Sequence, residues 1–228
     1  MLAEARNDTP ASRWPGEAAE AARYALLRRL APSIRHHLVV NLQPIGMIYE
    51  VLDRRLRAAE PDLPAVHDSA QKINGFARAA LESCQDVVSW LAPDDATQCT
   101  LADAARECAG LLASSLSFRG YALRNEVGTP EGKVRRAAVR NLLSAALVHA
   151  TDEHAAPAEL VLTANADATG ARLALAVRPM DGGKGFANEP GYRPIRWADV
   201  VALAEAEGAQ ALREDTGRIA LVLPWAAR

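Results

Sequence analysis

Residues His36 to Ile45 read HHLVVNLQPI, and these ten residues decide the fold. They lie inside a longer stretch in which Leu27, Leu30, Ile34, Leu38, Leu42, Ile45, Ile48, Leu52 and Leu56 recur at steps of three and four, the spacing of one apolar helix face. At about 100° per residue, His36 falls opposite the centre of that stripe and His37 near its edge. His36 is therefore expected to face water from a rigid helix. A solvated imidazole can accept and return a phosphoryl group, because it titrates near neutral pH and is nucleophilic when neutral.

Working outward, the periodicity predicts one long helix from about Glu17 to Arg57, with Pro32 expected to kink or split it. Glu60-Pro61-Asp62-Leu63-Pro64 reads as a loop. A second helix follows from about Ala65 to Leu91, with Val66, Ile73, Phe76, Ala80, Cys84, Val87 and Leu91 on one face. Two long helices and a short loop make an antiparallel hairpin. A single hairpin cannot close a core, so a two-fold homodimer forming a four-helix bundle is expected. Residues 1–16, with Asn7, Asp8, Pro10, Ser12, Pro15 and Gly16, read as a disordered leader.

The hairpin domain is assigned to residues 17–92, and PDDAT at 93–97 reads as a linker to a second domain over 98–228. Thr100 caps a helix through Phe118, and a strand runs from Tyr121 to Val127. Thr129-Pro130 looks like the start of a helix to about Ala150. Strands at Glu159–Asn165 and Arg172–Val177 precede a Gly- and Pro-rich loop over 178–196. A helix from Trp197 stops at Gly208, and a strand from Arg218 to Leu223 ends the chain. The fold class is α+β: a helical hairpin followed by a two-layer α/β sandwich.

The chain has 228 residues, half of them hydrophobic, with a formal net charge of −2. No block of like charge supports binding to nucleic acid or to an anionic membrane surface. No apolar run is long enough to span a bilayer, and the N-terminus lacks a signal-peptide core, so a cytoplasmic location is expected. Cys84, Cys99 and Cys108 lack metal-ligand spacing and read as buried small hydrophobes. Lys133, Arg135, Arg136 and Arg140 read as a solvated basic face, or as a surface steering an acidic partner. His149 and His154 read as capping or surface residues.

The 36–45 segment resembles the H-box of two-component sensor histidine kinases, roughly HDLRNPLQAI, with matches at His36, Leu38, Leu42, Gln43 and Ile45. The resemblance implies His36 as phosphoacceptor, with Arg35 and His37 beside it, and extends through a sandwich like the ATP-binding domain of that family. It also implies that the acidic general base after the acceptor is replaced by His37, and the water-positioning Thr or Asn by Val40.

The nucleotide motifs of the same family are degraded here. Its N-box, like NLLSNAIKYT, corresponds to Asn141-Leu-Leu-Ser-Ala145-Ala-Leu-Val148-His149-Ala. Asn141 matches, but Ala145 stands at the Mg²⁺-holding Asn and a methyl cannot ligate a hard cation. Asp181-Gly182-Gly183-Lys184-Gly185 fits the first glycine box, as a remnant adenine site with Asp181, Gly183 and Gly185 or as a plain connection. At the second box, Pro194 and Arg196 replace glycines that would cradle phosphate. The expectation is a histidine phosphotransferase of a phosphorelay, shuttling phosphate between receiver-domain aspartates and His36 beside a vestigial ATP domain. Response-regulator receivers are the expected partners. No metal site and no cofactor are expected, and ATP with Mg²⁺ enters only if the degraded site works. The alternatives are a divergent active kinase and a non-catalytic scaffold that binds a receiver or kinase.

Overall fold

The apolar spacing around His36 forms α1, Glu17–Leu56, a 40-residue helix about 60 Å long. It runs unbroken through Pro32 and Pro44, so Pro32 does not split it. Each proline removes one backbone donor, and packing along both halves offsets that loss. The computed structural model describes residues 16–92, 94, 96–182, 192–215 and 217–226. The leader expected over 1–16, Gly16 excepted, lies outside the described residues, as does the stretch 183–191.

The two halves of α1 meet different partners. The second half pairs antiparallel with α2, Leu63–Leu91. Asn41 Nδ2 donates to Ser83 Oγ at 2.8 Å near one end of the pair, and Arg55 Nη1 donates to Ala65 O at 2.9 Å near the other. Asp62 caps α2 by accepting from the Ala65 N–H. The hairpin leaves Val39, Leu42, Met47, Tyr49, Leu56, Leu81, Val88 and Leu91 exposed. Cys84 and Leu91, expected in the core, face outward in the single chain.

The second part is a five-stranded mixed sheet ordered β2-β4-β5-β7-β6, with three helices against it. Its strands are β2 (Tyr121–Asn125), β4 (Ala158–Ala166), β5 (Gly170–Pro179), β6 (Gln210–Asp215) and β7 (Arg218–Pro224). Only the β2–β4 pair is parallel. Leu160 and Leu162, Leu173 and Leu175, and Ile219, Leu221 and Leu223 alternate along three adjacent strands and are buried. They form the core with α3 (Leu101–Phe118), α4 (Arg136–Glu153) and α5 (Trp197–Ala206).

Local signals place several ends correctly. The Thr100 hydroxyl accepts from the Asp103 N–H as the cap of α3. Gly208, just past α5, adopts φ +63°, a conformation glycine reaches without strain. Two predictions fail. The helix expected from Thr129-Pro130 begins at Arg136 instead, because Gly132 sits at φ +119° against Trp225 and cannot continue a helix. Residues Val134–Arg135 form a short strand β3 that pairs with β1, Gln98–Cys99. β6 was not anticipated; it is an edge strand, exposed along most of its length, whose residues lack clear alternation.

The first half of α1 belongs with this second core. Ala19, Ala22, Ala25, Leu26 and Leu30 are buried, and the helix lies across the outer side of α5, α4 and α3. α4 is thereby enclosed between the sheet and α1. Every residue from Ala137 to Thr151 is buried except Asn141, which is half-buried. Helices buried all round are core helices rather than walls of an open cleft.

Candidate functional site

His36 and His37 stand side by side and exposed on α1, their rings edge-to-face with centroids 6.3 Å apart. Arg35 is exposed beside them. His37 also borders a cavity of about 170 Å³ between the hairpin and α3, with Asp86, Trp90, Arg106, Glu107 and Leu111 among its walls. Asn41, one turn on, donates to the His37 carbonyl at 3.3 Å as well as to Ser83. The imidazole of His36 therefore projects from a helix braced by α2 at this level, and is accessible to a large partner.

Asn141 is elsewhere, beneath the first half of α1. Its Nδ2 donates to Glu207 Oε1 at 2.9 Å. The Glu207 carboxylate, 4% exposed, also accepts from Arg23 of α1 and pairs with Arg135, each at 3.0 Å. Further along α4, Arg29 of α1 forks onto Asp152, Nη1 to Oδ2 at 2.7 Å and Nη2 to Oδ1 at 2.6 Å. Asp152 Oδ2 accepts the Ile195 N–H as well, and Arg29 donates to the Arg193 carbonyl. Between these two ties α1 packs against α4, and Ala25, Leu26, Ala145 and Val148 are buried in the same core.

The segment that leads into α5 is fixed to its surroundings. Tyr192 lies edge-on to Tyr24 and under the Arg28 guanidinium, both on α1. Arg193 forks onto Asp199, which also accepts the Arg196 N–H. Burial pushes the Asp199 carboxyl up, but the bonds from Arg193 and Arg196 outweigh it and hold it below its ordinary value. Pro194 and Arg196, where the resemblance has phosphate-cradling glycines, thus sit in a closed hydrogen-bonded turn.

Asp181 is exposed, two residues past the end of β5. Gly183 and Gly185 lie outside the described residues. The basic group at the start of α4 is not the solvated face expected. Arg140 is 3% exposed, donates to Ser89 and Glu107, and stacks on Trp90 at 4.8 Å. Arg136 forks onto the same Glu107. These partners lie far away in sequence, so nothing local marked Arg140 as buried or Arg136 as paired; Lys133 is exposed as expected. His149 is likewise buried, not a surface residue: its Nδ1 meets the Ile195 carbonyl at 2.7 Å and its Nε2 meets Arg213 at 2.8 Å. A carbonyl only accepts and a guanidinium only donates, so the proton sits on Nδ1.

Sequence reasoning missed the residues that close the α4 face, Arg23, Arg29, Asp152 and Glu207. Their pairings span 184 and 123 positions, and only the Ala19, Ala22, Ala25 spacing hinted at a tightly packed helix there. Among the described residues, no group of three His, Cys, Asp or Glu side chains could hold a metal ion. Also among them, no helix is long and apolar enough to cross a membrane.

No protein-family model matches the chain, and no curated protein matches it. Solved structures do. The chain is similar to a histidine kinase from Burkholderia phymatum, at 14% identity over 92% of this chain and 99% of that one, with a TM-score of 0.46. It is similar to the ATP-binding domain of PrrB from Mycobacterium tuberculosis, at 20% identity over 59% and 100%, with a TM-score of 0.43. A third is a bacterial phosphotransferase, at 18% identity over 87% and 95%, with a TM-score of 0.40. The likeness is one of fold.

Proposed function

We propose that this chain is a two-component signalling protein that acts as a histidine phosphotransferase, with His36 as its phosphoacceptor. The observation that carries the reading is a contrast between two sites. The imidazole is exposed on a braced helix, whereas the helix that the resemblance assigns to nucleotide binding is enclosed on all sides.

The residues at α4 do not fit a Mg–nucleotide complex. Ala145 offers a buried methyl where a hard cation needs oxygen. The Asn141 amide is engaged by Glu207, and α1 lies over the face between them and Asp152. No step is therefore routed through ATP. A transferase needs only a positioned nucleophile and a docking surface, because the receiver domain supplies the acidic pocket and its own metal.

In the transfer, a ring nitrogen of neutral His36 attacks the phosphorus of a receiver's aspartyl phosphate. The N–P bond forms as the acyl-phosphate P–O bond breaks, and that electron pair leaves with the aspartate carboxylate. The other ring nitrogen, which carries the proton of the neutral ring, releases it to water once the N–P bond has formed, and the reverse path returns phosphate to a second receiver. Arg35 lies where it can meet the incoming charge, and His37 flanks the acceptor.

Residues 17–92 serve as the dimerisation and phosphotransfer hairpin and 98–228 as the vestigial ATPase-like sandwich. The exposed apolar face of the hairpin supports a homodimeric four-helix bundle, since exposed patches of this kind mark interfaces. Response-regulator receivers are the partners, in the cytoplasm. The test is transfer of labelled phosphate from a phosphorylated receiver to the purified protein. Uptake that His36→Ala abolishes, with no labelling by Mg-ATP, is expected; uptake that survives His36→Ala overturns the reading.

A further inference from the structure

The two arginines that tie α1 to the sandwich flank the face it buries. Arg23 and Arg29 are six positions apart, which sets them about 120° from each other around the helix. One reaches Glu207 towards the start of α4, the other Asp152 towards its end. Between them α1 buries Ala25 and Leu26, while Tyr24 and Arg28 hold Tyr192. The geometry is that of a rod laid across three helices and fastened on both flanks.

We infer that the first half of α1 is a latched strap, with Arg29–Asp152 as the latch, which makes the hairpin and the sandwich one body. The motion open to the protein is then release of the strap.

Three observations support this. Arg29 and Asp152 side chains are each 6% exposed, so salt ions cannot screen the pair as they would a surface bridge. Asp152 also fixes the Ile195 N–H, and through it the turn that leads into α5. The strap and the phosphoacceptor helix are one unbroken α-helix, so no flexible joint separates Arg29 from His36 seven residues on. At about 100° per residue those two side chains share a helix face, and the strap sets where His36 stands relative to the sandwich.

The inference does not depend on phosphate chemistry and can fail independently of it. Amide hydrogen exchange read by mass spectrometry on the full chain tests it, with wild type compared to Asp152→Asn and to the swapped pair Arg29→Asp with Asp152→Arg. In wild type, residues 17–34 should exchange as slowly as α4, and 1 M NaCl should not change that. Asp152→Asn should raise exchange across 17–34 at least tenfold while β4, β5 and β7 stay protected, and the swap should recover part of the protection. Residues 17–34 exchanging as fast as the hairpin tip in wild type, or unchanged by Asp152→Asn, would overturn it. If Asp152→Asn unfolds the whole chain, Arg23→Ala decides. A rise confined to the first turns of α1 supports the strap, and no rise there refutes it.

Discussion

Asn141 donates its side-chain amide to Glu207 Oε1 at 2.9 Å, beneath α1. The same carboxylate, 4% exposed, balances Arg23 and Arg135. Glu207→Gln removes the charge but keeps the shape, leaving both guanidinium groups without their anion. Arg23 and Arg135 are 42% and 33% exposed, so water compensates part of the loss. The expected cost is about 1–3 kcal/mol, read as a lower urea midpoint with an unchanged slope.

Acid should weaken the turn before α5. The Asp199 carboxyl is pushed up by burial and pulled down further by Arg193 and the Arg196 N–H, for a net value below the ordinary one. A depressed native value means stability that is present above the unfolded value of about 4 and lost as pH falls through the native one. Urea midpoints measured from pH 6 down to pH 3 should fall in wild type, and Asp199→Asn should fall less steeply.

Thiol chemistry should separate two of the cysteines. Burial pushes the Cys108 thiol up to about 12, so it stays protonated and shielded, whereas Cys84 is exposed. Iodoacetamide at pH 8 should modify Cys84 in the native protein and Cys108 only in urea. Because the native Cys108 value is raised, its contribution to stability holds below the unfolded value of about 8.5 and drains away as pH climbs towards 12.

Gly170 opens β5 where a Cβ would come 2.2 Å from the Leu223 carbonyl oxygen. Gly170→Ala must therefore push β7 away and should cost about 1–3 kcal/mol. Thermal unfolding checks this. The same substitution at Gly110, where a Cβ meets nothing within 4 Å, should not destabilise.

Met47 is 62% exposed in the single chain, one turn from the exposed Val51 on the hairpin. If this face closes a bundle between two copies, Met47→Glu buries an unpaired charge there. The variant should sediment as a monomer at concentrations where wild type is a dimer, with its helix content by circular dichroism preserved.

What the sequence revealed was chemistry confined to one or two turns. Thr100 ahead of Asp103 marks a cap wherever it occurs, and Gly208 after an apolar run marks a stop. The stripe from Leu27 to Leu56 gave α1 to within a residue at its far end. What it hid depends on distant partners. Arg140 reads as a surface arginine until Glu107, Ser89 and Trp90 are folded around it. β6 sits at the sheet edge beside β7 and is exposed along most of its length, so its residues carry no alternation. At the histidine pair, spacing placed His36 in water, but it could not show that α1 would close over Asn141.

Arg23 and Glu207 stand 184 positions apart in the chain, and this has a consequence for biosynthesis. At ribosomal speeds, on the order of 10 to 40 s pass between the emergence of one and the other. Early in that interval α1 and α2 can pair, whereas the buried alanines of α1 lack the complete surface of α3, α4 and α5. The nascent hairpin thus carries two bare faces at once, the alanine face awaiting α3, α4 and α5 and the apolar face around Met47. Apolar surface left bare in this way is prone to aggregation, so chaperone demand during translation should be concentrated on the first forty helical residues.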